Sequence, residues 1–407
     1  MTSQAGSTRR DFLRQSGVAG LGLAGMQVLG TGHASATTNA ATTAKRYEYV
    51  FTDGLATVFD IVNNFRKVGT ISLGAATTRI QGIAFAAPTG RLFVTYGGPP
   101  ANPPNHGFVL CYDLVRRKVV WREPAPTGTG VGSAEVTPDG RKLFQPAGSN
   151  QTADPTWHVL DTATGHAIGA ITGVGGRPHD TVVGLDGSKV YMGAISLNYL
   201  TVGNTSTDAI LLRVGPFGVG GPAGGGGVKP FTVNGRQTRT FVNVNGLLGF
   251  EVGDLTTGRS IFRVDLQNSG FHWNVNARGP SHGVSLSPDE TEVWVNDQPN
   301  NRVHVFDVRG VKASPPTAPV LRASIRLRGT LQGKTSQGEA REGWLQHTLD
   351  GRYVFVGDAG DVISTATRKT VTKLGPLSNS KFCMEIDWNA AGQPVATSTR
   401  IGLGHVI

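Results

Sequence analysis

Two histidines in this sequence share one local setting. His179 and His282 each lie eight residues ahead of the last position of a tight turn, Leu185-Asp186-Gly187 after the first and Pro288-Asp289-Glu290 after the second. Two glutamates also share a setting, Glu135 between Ala134 and Val136 and Glu385 between Met384 and Ile386. Side chains alternate across a β-strand, so with those apolar neighbours packed in a core both carboxylates point the other way. Imidazoles and carboxylates converging on one opening suit a divalent-metal centre or a proton-transfer site. A carboxylate in a narrow channel must be ligated, paired with a cation or protonated. The catalytic candidates are therefore His179, His282 and Glu135, and the metal candidates are His179, His282, Glu385, His272 and His347. Each has a plainer reading, in which a histidine at a strand start bonds a neighbouring backbone and a channel glutamate pairs with an arginine. His347 in particular shares the phase of Leu286 and Val136, which is that of a packed core residue.

Cations stand at matching positions. Arg79, Arg177, Arg278, Arg341 and Lys381 each open a short segment that leads into an apolar strand. Gathered at one end of a fold they form a basic crown, which steers and pairs with carboxylates or phosphates. The alternative is that they pair with loop acids such as Glu342 or stay solvated. The loop pair His272-Trp273 is placed to swing over the same opening, so Trp273 joins the cations as a substrate-binding candidate. A net charge of +10 with only 16% charged residues makes the excess local rather than a nucleic-acid surface. No serine nucleophile elbow, phosphate-binding glycine loop, covalent haem motif or paired-cysteine zinc motif is present.

These side chains must be positioned by strands, because the chain holds 57 glycines and shows no long helical periodicity. Turn segments recur at Pro88-Thr89-Gly90, Pro138-Asp139-Gly140, Leu185-Asp186-Gly187, Asn234-Gly235, Pro288-Asp289-Glu290 and Leu349-Asp350-Gly351, 47 to 61 residues apart. Each precedes an alternating apolar strand such as Val293-Trp294-Val295, and a second mark, an Asp capping its own turn, recurs at Asp60, Asp113, Asp161 and Asp254. The period is that of four-stranded blades. The chain opens mid-unit and 382–388 supplies a lone strand at the other end. Joining the two gives an all-β, seven-bladed propeller closed by N- and C-terminal strands in one shared blade, without free sheet edges.

The repeats resemble the YVTN family of seven-bladed β-propellers, most clearly in Arg91-Leu92-Phe93-Val94-Thr95-Tyr96 and Arg352-Tyr353-Val354-Phe355-Val356. The resemblance covers nearly all of 45–400 and implies the fold. For function it leaves lyases, lactonases, metal-binding enzymes and plain binding proteins open. In such a propeller the first strand of each blade lines the axis, so the histidines and the cations would meet at one mouth. Insertions at 97–106, 215–227 and 326–342 break the repeat, and any of them could cover that mouth.

Ahead of the repeats, Ser7-Thr8-Arg9-Arg10-Asp11-Phe12-Leu13 resembles the twin-arginine export motif. The apolar run 18–29 is shorter than a membrane span, and Ala34-Ser35-Ala36 forms a small-residue cleavage site. The expected organisation is a signal over 1–36, a linker over 37–44 and one propeller over 45–407, exported folded to the periplasm or beyond, monomeric and without a membrane span. Cys111 and Cys383 are the only cysteines, and their pairing stays open. The expected function is an enzyme whose axial His/Glu site, with a divalent metal of unknown identity, acts on an anionic small molecule or oligosaccharide by elimination or hydrolysis. The alternatives are a copper- or iron-dependent oxidoreductase at the same site and a non-catalytic binding propeller.

Overall fold

Short runs rich in β-branched and aromatic residues pair antiparallel into seven sheets, and six of these take four consecutive strands. The structure is a computed structural model describing residues 43–97, 106–126, 130–148, 155–218, 226–273, 279–336, 338–398 and 402–406. The expected export signal lies outside the described residues. The fifth sheet is typical, built from Val284–Leu286, Glu292–Asp297, Arg302–Asp307 and Val320–Arg326. In its first turn Ser287 Oγ donates to Asp289 Oδ1 at 2.6 Å, the Thr291 amide donates to the same oxygen at 3.1 Å, and Glu290 takes φ +57°. The other marked aspartates do the same. Asp161 accepts from the amides of Ala163 and Thr164, both at 2.9 Å, and Asp254 from those of Thr256 and Thr257 at 2.7 and 3.0 Å. These acids are part of the scaffold.

The sheets stand as blades in a ring, making a seven-bladed β-propeller. Successive first strands run along Ile80–Ala86, Glu135–Val136, Pro178–Val183, Val228–Val233, Val284–Leu286 and Leu345–His347, with Cys383–Asn389 completing the circle. Adjacent first strands come into backbone contact. The Ser133 amide donates to the carbonyl of His179 at 2.8 Å, and a Cβ on Gly283 would stand 2.0 Å from the carbonyl oxygen of Gly343, so only glycine fits there. Buried side chains such as Trp157, Trp294 and Trp344 fill the spaces between blades. Cys111 and Cys383 are buried in separate clusters and form no disulfide with each other, so packing holds the ring.

The seventh blade draws on both ends of the chain, in the order Pro394–Thr397, Cys383–Asn389, Thr43–Thr52, Leu55–Asp60 and Arg66–Ser72. It has five strands rather than the four expected, because Pro394–Thr397 adds itself inside Cys383–Asn389. Beyond it, residues 402–406 lie against the fourth and fifth blades, on the far side of the ring. Thr232 Oγ1 donates to the Gly402 carbonyl at 2.6 Å, the Gly404 amide to Val233 O at 3.2 Å and the His405 amide to Pro288 O at 3.0 Å. Residues 402–406 thus sit at the turn end of the first strands.

The seam between Thr43–Thr52 and Cys383–Asn389 buries more acid than it neutralises. Glu48 and Glu385 are directly opposed partners, and both are inaccessible to solvent. Glu385 accepts from Arg46 Nε at 2.9 Å and from the Leu349 amide at 2.6 Å, and Arg46 also pairs with Asp350 and Asp387. Glu48 has the Gln346 amide and Cys383 beside it but no cation in contact among the described residues. Burial, then the nearby charge of Glu385, pushes its carboxyl well above the usual range, and burial raises Glu385 to about 8 against the pull of Arg46. Both shifts favour a protonated carboxyl in the seam. A raised folded-state value stabilises fully below the ordinary carboxylate value of 4.5 and is lost as pH rises towards about 8. Melting temperature is expected to fall across that interval in the wild type, and Glu48→Gln, which keeps the amide-like shape without the titration, should flatten the profile in calorimetric scans.

Candidate functional site

The end of the ring where the first strands begin opens into a cavity of about 530 Å³. Its wall takes His179 from the third blade, Lys229 from the fourth, Glu342 from the segment before the sixth, and Lys381 and Phe382 from the approach to the seventh. Asp53, Arg79 and Gln81 close the side towards the first blade. Of the three insertions, 326–342 contributes Thr335, Glu339, Ala340 and Glu342 to the wall. Residues 98–105 and 219–225 of the other two lie outside the described residues.

The side chains form two linked groups. In the first, Lys381 Nζ donates to Glu342 Oε2, the same oxygen stands 3.6 Å from His282 Nδ1, and the ammonium lies 5.8 Å from the Trp344 and Phe382 ring centres. His282 is fixed through its backbone, whose amide donates to Asn296 Oδ1 at 2.7 Å, while neither ring nitrogen makes a hydrogen bond among the described residues. In the second, His179 Nδ1 meets Asp180 Oδ1 at 3.0 Å, with Lys229 beside it on the wall.

Burial sets the charge state of each member. It pulls His282 down to about 3 and pulls His179 below its usual value despite Asp180, so both rings are neutral at neutral pH. Burial also lowers Lys229, against the attraction of Glu342 and Asp180 and with the help of Lys381. Burial opposes the charged forms of Glu342 and Lys381 too, but their mutual contact outweighs it, leaving Glu342 well below and Lys381 above the ordinary range. The result is one fixed ion pair beside two imidazoles held below their usual value and a lysine whose charged form is less favoured than usual.

The structure gathers part of the expected set. His179, Arg79 and Lys381 line the cavity, and His282 reaches it through Glu342. Arg79 is tied by its guanidinium to the Gly97 carbonyl at 2.5 Å, Arg177 adds its charge to the field on Lys229, and Arg341 is spent on the carbonyls of Asp358 and Ser378. Arg278 lies outside the described residues. Trp273 does not swing over the mouth, since it is buried in a core cluster with Leu248, Phe250 and Leu266. Glu135 stays in its strand, where its Oε1 accepts from the Val136 amide at 3.0 Å.

The expected metal set does not assemble. Among the described residues no three His, Cys, Asp or Glu side chains come close enough to hold an ion. Glu385 is turned into the seam by Arg46 and the Leu349 amide. His347 packs between blades with Nδ1 2.7 Å from Ser285 Oγ and its ring edge-on to Trp294, and burial takes it to about 3. His272 is exposed, and its carbonyl accepts from Asn300 at 3.0 Å. Glu342, Lys229 and Asp180 are the site members that sequence reasoning missed. Val228-Lys229-Pro230 opens the fourth blade as Arg177-Pro178-His179 opens the third, and that parallel was the available signal.

No family model and no curated protein matches this chain. Among solved structures, hydrazine synthase from Kuenenia stuttgartiensis is similar, with 12% identity, a TM-score of 0.56 and coverage of 77% of this chain and 90% of that chain. At that identity the likeness concerns the fold alone.

The Lys381–Glu342 pair is a quarter exposed, and both partners line the cavity. Lys381→Met leaves Glu342 without its cation and is expected to cost about 2 kcal/mol in urea unfolding. Adding Glu342→Gln should recover most of that loss.

Proposed function

We propose that the axial cavity is an acid–base site that takes a small anionic molecule and carries out elimination or hydrolysis next to its carboxylate or ester. The observation that carries this reading is the pairing of His179 with Asp180 on the wall of a cavity that also presents Lys229 and the Lys381–Glu342 pair. Asp180 holds Nδ1 and orients the ring, leaving Nε2 without a hydrogen bond among the described residues. A neutral imidazole so oriented is a general base. Lys381 and Arg79 supply positive charge for the carboxylate, and a lysine lowered by burial can stabilise or protonate a developing oxyanion. The reading runs through side chains, because the donors expected for a metal do not converge. The twin-arginine-like start of the sequence supports export of the folded protein as part of the same reading.

The test is a calorimetric panel of small hydroxy-, oxo- and ester-bearing carboxylic acids, followed by product detection by NMR. Turnover in the wild type should fall by about 10²–10⁴-fold in His179→Ala with binding largely kept. Because the folded-state value of His179 lies below 6.5, the acid limb of the rate profile should also lie below 6.5. Tight binding with no turnover in any panel member would make the protein a binding propeller and sink the acid–base reading.

A further inference from the structure

Lys229 differs from the other cations on the cavity wall. Arg79 is tied to the Gly97 carbonyl and Lys381 to Glu342, whereas Lys229 takes part in no hydrogen bond or ion pair among the described residues. It is the second residue of Val228–Val233, so the strand fixes its backbone while its amine lines the cavity. An amine held in an enclosed site next to another cation is the arrangement that makes lysine a nucleophile at neutral pH. The burial of Lys229 and the neighbouring charge of Lys381 both act in that direction.

We propose that Lys229 forms an imine with the carbonyl group of a small 2-oxo carboxylate bound in the axial cavity. The proposal rests on the reading of that cavity as a seat for small anions and names their class. The lone pair of Nζ makes the new C–N bond as the carbonyl π pair moves to oxygen. One proton passes from nitrogen to that oxygen through solvent, giving the carbinolamine. A second proton, from solvent, lets the C–O bond break and water leave. The balance is amine, carbonyl and one proton in, iminium and one water out. The carboxylate next to the carbonyl is the group that the charges of Lys381 and Arg79 recognise. The iminium draws electrons from the adjacent carbon, and the proton released there is the one the imidazole of His179 would remove. The imine thus supplies the electron sink that an elimination needs.

The full chain is incubated with pyruvate or glyoxylate, reduced with sodium cyanoborohydride and examined by intact mass and peptide mapping. One saturable adduct per chain on the peptide carrying Lys229 is expected. Lys229→Arg, which replaces the amine with a non-nucleophilic guanidinium, should lose that adduct. Mapping the wild type alone decides the site even if that variant misfolds. Adducts spread over surface lysines, or none while calorimetry shows the oxo acid bound, would overturn the imine and leave the anion-binding cavity standing. No adduct and no binding of any panel acid would overturn both.

Discussion

The antiparallel pairing of Thr43–Thr52 with Cys383–Asn389 is the contact on which the rest of the molecule depends. Six blades are made from consecutive strands and would form locally, but a ring of seven needs its last sheet assembled from the two ends of the chain. Without that pairing the first and sixth blades would each expose an apolar face, and the first strands would have no common axis. The seam achieves closure with Tyr49 and Met384 in the apolar core and with a set of acids grouped around Arg46. Closure therefore buries ionisable groups as well as apolar ones.

The cavity inherits its chemistry from the same geometry. First strands that meet at an axis bring side chains from distant parts of the sequence within a few ångströms, in a cavity that reduces their contact with water. His179 and His282 are neutral there for one reason, burial, while Glu342 and Lys381 keep their charges because they touch. A site of this type separates its proton carriers from its charge carriers. His282 stands beside the ion pair, 3.6 Å from Glu342 Oε2, while His179 is held by Asp180, and Lys229 lines the same wall.

Much of the fold was legible in the sequence because its signals are local. The aspartate-capped turns, the alternating strands behind them and the split seventh blade can all be read a few residues at a time. The site was legible in part. His179, His282, Arg79 and Lys381 were found because they stand at strand starts, and strand starts face the mouth. Glu385 was misjudged because alternation gives two faces without saying what covers each. Pro394–Thr397 adds a strand on the side taken to be open, and Arg46 draws the carboxylate into the seam. Lys229 was hidden behind the glycine tract 215–227, which obscures where the fourth blade begins. Glu342 was legible only as a generic loop acid, since its partners come from two other blades.

The C-terminal segment gives the cavity a direction. Gly402 and Gly404 bond the fourth and fifth blades at the turn end of the first strands. A propeller bored through from face to face would let a substrate enter at one side and a product drain from the other. Here residues 402–406 occupy the turn end of the first strands, whereas the candidate cavity opens at their starting end beside the 326–342 insertion.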